Sequence, residues 1–307
     1  MSRVKLSDRN IGIICIIASA FFFALMNLFV RMSGDVPFIE KTFFRNAVAA
    51  IVSGVLLLRD RKPTGLSKKT LPGLIMRAAF GTVGMWCNFY ALGKLELSDA
   101  SMLNKLSPFF ALVFSVLILK ETLTFFQGFC VFLAFVGTVF IVKPGFITMV
   151  ASDTMWPALI GACGGMCAGL AYTFVRRLGE QGVAGPFIVF FFSAFSTAAA
   201  IPYCIVDGVM LTPYQLACLV CAGLAATGGQ FTITQAYVKA PAREISIYDY
   251  TQLIFAAMLG FFVLGELPDG WSVIGYVVIV GASILLFLYN NGRIGKKSII
   301  TKSDSSI

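Results

Sequence analysis

The 307 residues contain no histidine. The commonest metal ligand and the side chain best suited to general acid–base work near neutral pH are therefore missing. Charge is scarce as well: Asp, Glu, Lys and Arg make up 13% of the chain, against about 25% in an ordinary soluble domain. Only 15 residues are acidic, and they form no cluster of carboxylates. There is no phosphate-binding glycine loop and no nucleophile elbow in a suitable context. These absences argue against an enzyme and call for neither cofactor nor metal.

What is present is apolar. Hydrophobic residues make up 58% of the chain, with a mean hydropathy of +0.86. No water-soluble core of this size hides that much apolar surface, so the bilayer is the expected solvent. A spanning helix needs about 20 apolar residues. Such runs follow one another at 11–30, 38–58, 71–92, 100–119 and 125–142, then at 155–175, 187–206, 213–237, 245–264 and 271–289. The fold class expected is an all-α integral membrane protein of ten transmembrane helices. The loops left over are too short for a catalytic domain. The eight cysteines fall inside the apolar runs, so Cys218 and Cys221, although spaced as CxxC, read as small packing residues before redox or metal ligands. The first run has no small-residue cleavage site and reads as a retained helix.

The net charge of +9 would suggest nucleic acid in a soluble protein, but these cations sit in alternate loops. With the N-terminus inside, 17 loop cations lie on the cytoplasmic side, against Arg31, Lys41, Lys94 and Lys143 outside. The positive-inside rule then puts both termini in the cytoplasm and removes the need for a nucleic-acid partner. The partners expected are the lipid bilayer and a small-molecule substrate, for a monomer or homodimer in the inner or plasma membrane.

Self-comparison reveals a repeat. Arg31 and Arg176, Lys94 and Lys239, and Glu121 and Glu266 are each 145 positions apart. The flanking text agrees: Leu28-Phe29-Val30-Arg31 matches Thr173-Phe174-Val175-Arg176, and Thr82 with Gly84 matches Thr227 with Gly229. The expected divisions are 1–147 and 148–292, five helices each, followed by a cytoplasmic tail at 293–307. An odd number of spans makes the two copies enter the membrane in opposite senses. Inverted repeats of this kind are built to alternate access around a site near the midplane.

At these residues the chain resembles the EamA family of the drug/metabolite transporter superfamily. The characteristic stretch holds Arg77, Gly81, Gly84, Tyr90-Ala91-Leu92, Asp99-Ala100, Pro108-Phe109 and Glu121. The second copy keeps Gln235-Ala236, Ile245-Ser246, Gln252 to Phe255 and Leu264-Gly265-Glu266, but has Leu253 where the first has Pro108. The resemblance implies a ten-helix carrier with a central cavity, and it leaves the substrate open. The stretch around Asp249 and Gly265-Glu266-Leu267-Pro268-Asp269 is also similar to bacterial S-adenosylmethionine uptake carriers.

Ionisable groups within a membrane cost at least about 2.5 kcal/mol each on insertion scales, so each needs a partner or a purpose. Arg45, about seven residues into the second span, is placed to grip a carboxylate or phosphate, or else to bridge helices. Lys105 follows Asn104 in the fourth span, and the repeat spacing equates Asn104 with Asp249 in the ninth. A Lys105–Asp249 ion pair that opens on binding is the sharpest expectation, against a static pair or groups that never meet. The candidate substrate-binding set is Arg45, Asn88, Tyr90, Asn104, Lys105, Tyr172, Gln230, Tyr248, Asp249 and Gln252. Asn27, Trp86, Gln235 and Tyr250 are further polar or aromatic residues that suit a path. Glu121 and Glu266 read as structural. Gly161, Gly165 and Gly169 lie along one face of the sixth span, for close backbone approach. Together these features predict a carrier of a small polar metabolite, favouring an amino acid or a carboxylate-bearing derivative. An adenosyl-type cationic metabolite and a non-transporting scaffold are the alternatives.

Overall fold

The computed structural model describes residues 8–60, 64–119, 124–142, 153, 155–239, 246–290 and 292. Glu121, Ile245, the tail 293–307 and several of the counted loop cations, among them Lys120, Lys143 and Arg243, lie outside the described residues.

Among the described residues the chain is helical, with no strand. The helices are α1 (Asp8–Met32), α2 (Phe38–Asp60), α3 (Leu71–Leu92), α4 (Leu97–Asn104), α5 (Ser107–Leu119) and α6 (Phe125–Val142). After the midpoint come α7 (Met155–Glu180), α8 (Gly185–Val206), α9 (Pro213–Lys239), α10 (Thr251–Leu259) and α11 (Gly270–Asn290). A 3-10 segment, Ser246–Tyr250, leads into α10, and a π-helical turn, Gly260–Leu264, ends it. Six of these helices are long and apolar enough to cross a membrane. The surface of the bundle agrees: Ile51, Leu58, Phe132, Ile205, Ile254 and Val277 are exposed, which suits a solvent of lipid tails. Several hydroxyl groups are satisfied within their own helices. Thr42, Ser53, Thr82, Ser101, Thr138 and Thr227 each donate to the carbonyl four residues back.

Two expected spans are not single α-helices. The run expected at 100–119 starts earlier, at Leu97, and breaks at Lys105 and Leu106 between α4 and α5. Pro108 is the cause: it has no N–H to give the Asn104 carbonyl, and its ring crowds that carbonyl. The chain crosses the break by 3-10-type bonds, Leu106 N to Leu103 O at 3.2 Å and Phe109 N to Leu106 O at 3.0 Å. The run expected at 245–264 is likewise broken up, 3-10 at its start and π-helical at its end. Gly265, at φ +70°, closes it, with the Glu266 amide reaching back to the Gly260 carbonyl at 3.1 Å.

The two halves interleave. α1 packs against α9 and, in the corresponding way, α7 packs against α3; α2 packs against α8, and α6 against α11. Small residues permit this closeness. Ala20 and Ala24 on α1 and Ala222 and Ala226 on α9 are fully buried. On α7, a Cβ added at Gly165 would sit 2.5 Å from the Leu103 carbonyl, and one at Gly169 would sit 2.6 Å from that of Ser107. The glycine face expected on the sixth span thus seats the broken fourth span, and carbonyls around the break lie directly against it.

Candidate functional site

A cavity of about 100 Å³ lies where α1, α2, α3, the α4–α5 break, α7, α8, α9 and the 3-10 segment with the start of α10 converge. Three cations and one carboxylate line it: Arg45, Arg77, Lys105 and Asp249. Every one of these residues is buried.

Lys105 and Asp249 form the ion pair expected from the repeat. Nζ lies 2.6 Å from Oδ2, with the two side chains 7% and 8% exposed. Each stands where the helix is irregular: Lys105 at the break caused by Pro108, Asp249 in the 3-10 segment. The Tyr250 hydroxyl donates to the Lys105 carbonyl at 3.1 Å, taking up a backbone acceptor near the break. Lys105 and Tyr250 are themselves repeat equivalents, 145 positions apart. Asp249 Oδ1 has no hydrogen-bond partner among the described residues.

The other two cations are arranged differently. Arg45 from α2 and Arg77 from α3 are 3% and 5% exposed, and neither has a carboxylate partner among the described residues. Both guanidiniums lie over the ring of Phe192 on α8, at 5.8 and 4.2 Å from its centroid. A π face attracts a cation by about 0.5–2 kcal/mol, which offsets only part of the cost of burying one. Arg45 donates to Asn46 Oδ1 at 2.6 Å; the Nε atoms of both arginines have no protein partner. Gly81, one turn after Arg77 on α3, leaves the room that the Arg77 guanidinium and the Phe192 ring share.

Of the expected set, Arg45, Asn88, Asn104, Lys105, Tyr172, Gln230, Asp249 and Gln252 line this cavity, and Asn27 joins them. Tyr90 and Tyr248 do not. Tyr90 packs edge-on against Phe38, and Tyr248 against Phe287. These rings serve the contacts between helices at their own azimuths. Gln235 is exposed, and Trp86 lies off the cavity. Sequence reasoning placed Arg77 in the family stretch but not at the site. Its signal was available as a lone arginine in the middle of an apolar run. Phe192 carried none, being one phenylalanine among 30. All eight cysteines are free, and no group of three potential metal ligands occurs among the described residues.

Away from the cavity, Glu266 ties one end of the bundle together. It accepts from Arg31 at 3.0 Å and from the Leu97 amide, at the start of α4, at 2.8 Å, while Arg31 also donates to the Leu92 carbonyl at 2.7 Å. Asp99 joins α4 to α11 by accepting from Ser272 at 3.0 Å and from the Tyr276 hydroxyl.

The chain is 30% identical over 277 residues to the pseudopaline exporter CntI of Pseudomonas aeruginosa, covering 90% of this chain and 95% of that one. It is 26% identical to solute carrier family 35 member G1 of Mus musculus, covering 94% of this chain and 82% of the other. A crystal structure with 15% identity matches the fold with a TM-score of 0.68, covering 92% of this chain and 99% of its own. The sequence profile of the EamA-like transporter family matches twice, at residues 10–143 and 155–288. The chain belongs to the EamA-like transporter family.

Proposed function

We propose that the protein is a secondary transporter that moves a small organic solute bearing a carboxylate, such as an amino acid or its derivative, by alternating access. The observation that carries this reading is the pair of buried guanidiniums, Arg45 and Arg77, facing a cavity whose one carboxylate among the described residues, Asp249, is already paired with Lys105. Buried charges are normally paired, and a guanidinium fork matches a carboxylate with two parallel hydrogen bonds. The balance of three cations against Asp249 favours an anionic cargo over an adenosyl-type cation.

In this reading the helices form ten spans, α4 with α5 and the 3-10 segment with α10 each making one, in two oppositely oriented repeats. The division falls at 147–148, and both termini lie on the cytoplasmic side of the inner or plasma membrane. The interleaved packing of the halves supports it, as does the contact between the repeat equivalents Lys105 and Tyr250, since equivalents touch only near the axis relating them. The name of the pseudopaline exporter favours outward movement. A non-transporting scaffold has no use for unpaired cations in its centre.

The test is counterflow in proteoliposomes preloaded with amino acids, organic anions, nucleosides and adenosyl metabolites, with exchange read by mass spectrometry. Saturable exchange of an anionic solute, lost in Arg45→Gln, is expected. Exchange confined to adenosyl cations, or none in folded protein, refutes the reading.

A further inference from the structure

We infer that the cargo carries two carboxylates and an ammonium group, an amino dicarboxylate, with one carboxylate for each of Arg45 and Arg77 and the nitrogen for Asp249. This rests on the carrier reading and assigns the cargo of that same cavity.

The donors come first. A guanidinium offers five N–H groups. Among the described residues Arg77 Nε has no hydrogen-bond partner, and Arg45 donates to Asn46 while its own Nε has none. The two reach the cavity from different helices and share the Phe192 ring at 4.2 and 5.8 Å rather than converging on a common acceptor. Two forks with no acceptor in common suit two planar carboxylates better than one tetrahedral phosphoryl group. A phosphate is commonly cradled by free backbone amides at a helix start. At the break beside this cavity the amides of Lys105 and Leu106 are already spent on the carbonyls of Ser101, Met102 and Leu103.

The acceptor side is separate. Asp249 gives Oδ2 to Lys105, and its Oδ1 is buried with no partner. Asn88 lines the same cavity with its Oδ1 equally unmatched. A buried acceptor left unsatisfied costs about 1–3 kcal/mol, and an ammonium supplies three donors. The cavity thus holds an anion-binding side and a donor-seeking side, and an amino dicarboxylate answers both without displacing Lys105.

The experiment is equilibrium binding to the full-length purified protein, competing a labelled aspartate probe with propionate, alanine, succinate, aspartate and phosphoethanolamine. Aspartate is expected to bind about tenfold or more tighter than alanine, the gain of one charge-assisted carboxylate contact, and several-fold tighter than succinate. In Arg77→Gln the aspartate-to-alanine ratio falls toward one, while Arg77→Lys keeps part of it; in Asp249→Asn the aspartate-to-succinate ratio falls toward one. Equal binding of alanine and aspartate overturns the proposal, as does tighter binding of phosphoethanolamine or a panel in which nothing binds. The wild-type panel decides by itself, so a variant that fails to fold leaves the test intact. A preference for aspartate without counterflow would remove the carrier reading and support the binding assignment. Counterflow of monoanions without that preference would do the reverse.

Discussion

Replacing Asp249 by asparagine leaves Lys105, Arg45 and Arg77 around one cavity with no anion among them. At the observed 2.6 Å, an effective dielectric of about 20 puts the direct Lys105–Asp249 attraction near 6 kcal/mol. Desolvation of two buried ions offsets most of that, but breaking such a pair from one side costs about 3–5 kcal/mol, because the remaining charge stays buried. The two single changes are not equivalent here. Lys105→Gln leaves Asp249 with Arg45 and Arg77 as neighbouring cations and relieves like-charge crowding; Asp249→Asn has no such relief. The ordering expected is therefore Asp249→Asn least stable, Lys105→Gln intermediate, and the double variant less damaged than the sum of the singles by about 2 kcal/mol or more. Thermal unfolding of the purified protein in detergent measures this, with a loss for Asp249→Asn on the order of 10 °C. Losses that simply add, or a Lys105→Gln variant less stable than Asp249→Asn, would refute the electrostatic account of the site.

Three further outcomes are expected. Glu266→Gln removes the charge that holds Arg31 and the Leu97 amide; with both side chains partly exposed, the loss is about 1–2 kcal/mol. It should shift the population with that end open by about tenfold, read as faster labelling of a cysteine introduced at the buried position 95. Gly165→Ala pushes a methyl group into the Leu103 carbonyl, and at about 1–3 kcal/mol for overpacking it should lower thermal stability measurably, whereas Gly179→Ala, with open space around it, should not. Phe192→Leu removes the face that Arg45 and Arg77 share and should cost about 1–3 kcal/mol in the same assay, while Phe192→Tyr, which keeps a π face, recovers most of it.

Much of the helical layout was legible because a membrane imposes one length on every span, and apolar runs report that length directly. The expected runs at 38–58, 71–92 and 125–142 agree with α2, α3 and α6 within two residues at each end. The interruptions were less legible. Pro108 was visible, but turning it into a break at Lys105 and Leu106 requires following the missing bond back four residues. The 3-10 segment before α10 has no proline at the matching position. The Lys105–Asp249 pair was legible from repeat spacing, since Asn104 and Asp249 are equivalents and Lys105 is the next residue. Tyr90 and Tyr248 stand off this cavity because residue type says nothing about azimuth: which way a ring points depends on the neighbouring helix it packs against. Phe192 escaped for the same reason, its role existing only through the two arginines that other helices bring to it.

The symmetry of the scaffold and the asymmetry of its charges belong together. Arg45, Arg77 and Lys105 all lie in the first half, and the residues 145 positions after Arg77 and Lys105 are Ala222 and Tyr250. The second half supplies the carboxylate, the Phe192 ring and the Tyr250 hydroxyl. A carrier that alternates access by exchanging the conformations of two halves needs equivalent backbones, so that each mouth can close as the other does. The cargo proposed above has no two-fold symmetry, and the groups that would hold it need none. Backbone features recur accordingly: small-residue faces on α1 and α7, and irregular helices on both sides of the cavity. The cations do not recur, because a second set across the axis would put like charges into one small buried space. On the proposed function, the arginines concentrated on one side serve a symmetric scaffold with an unsymmetric, anionic cargo.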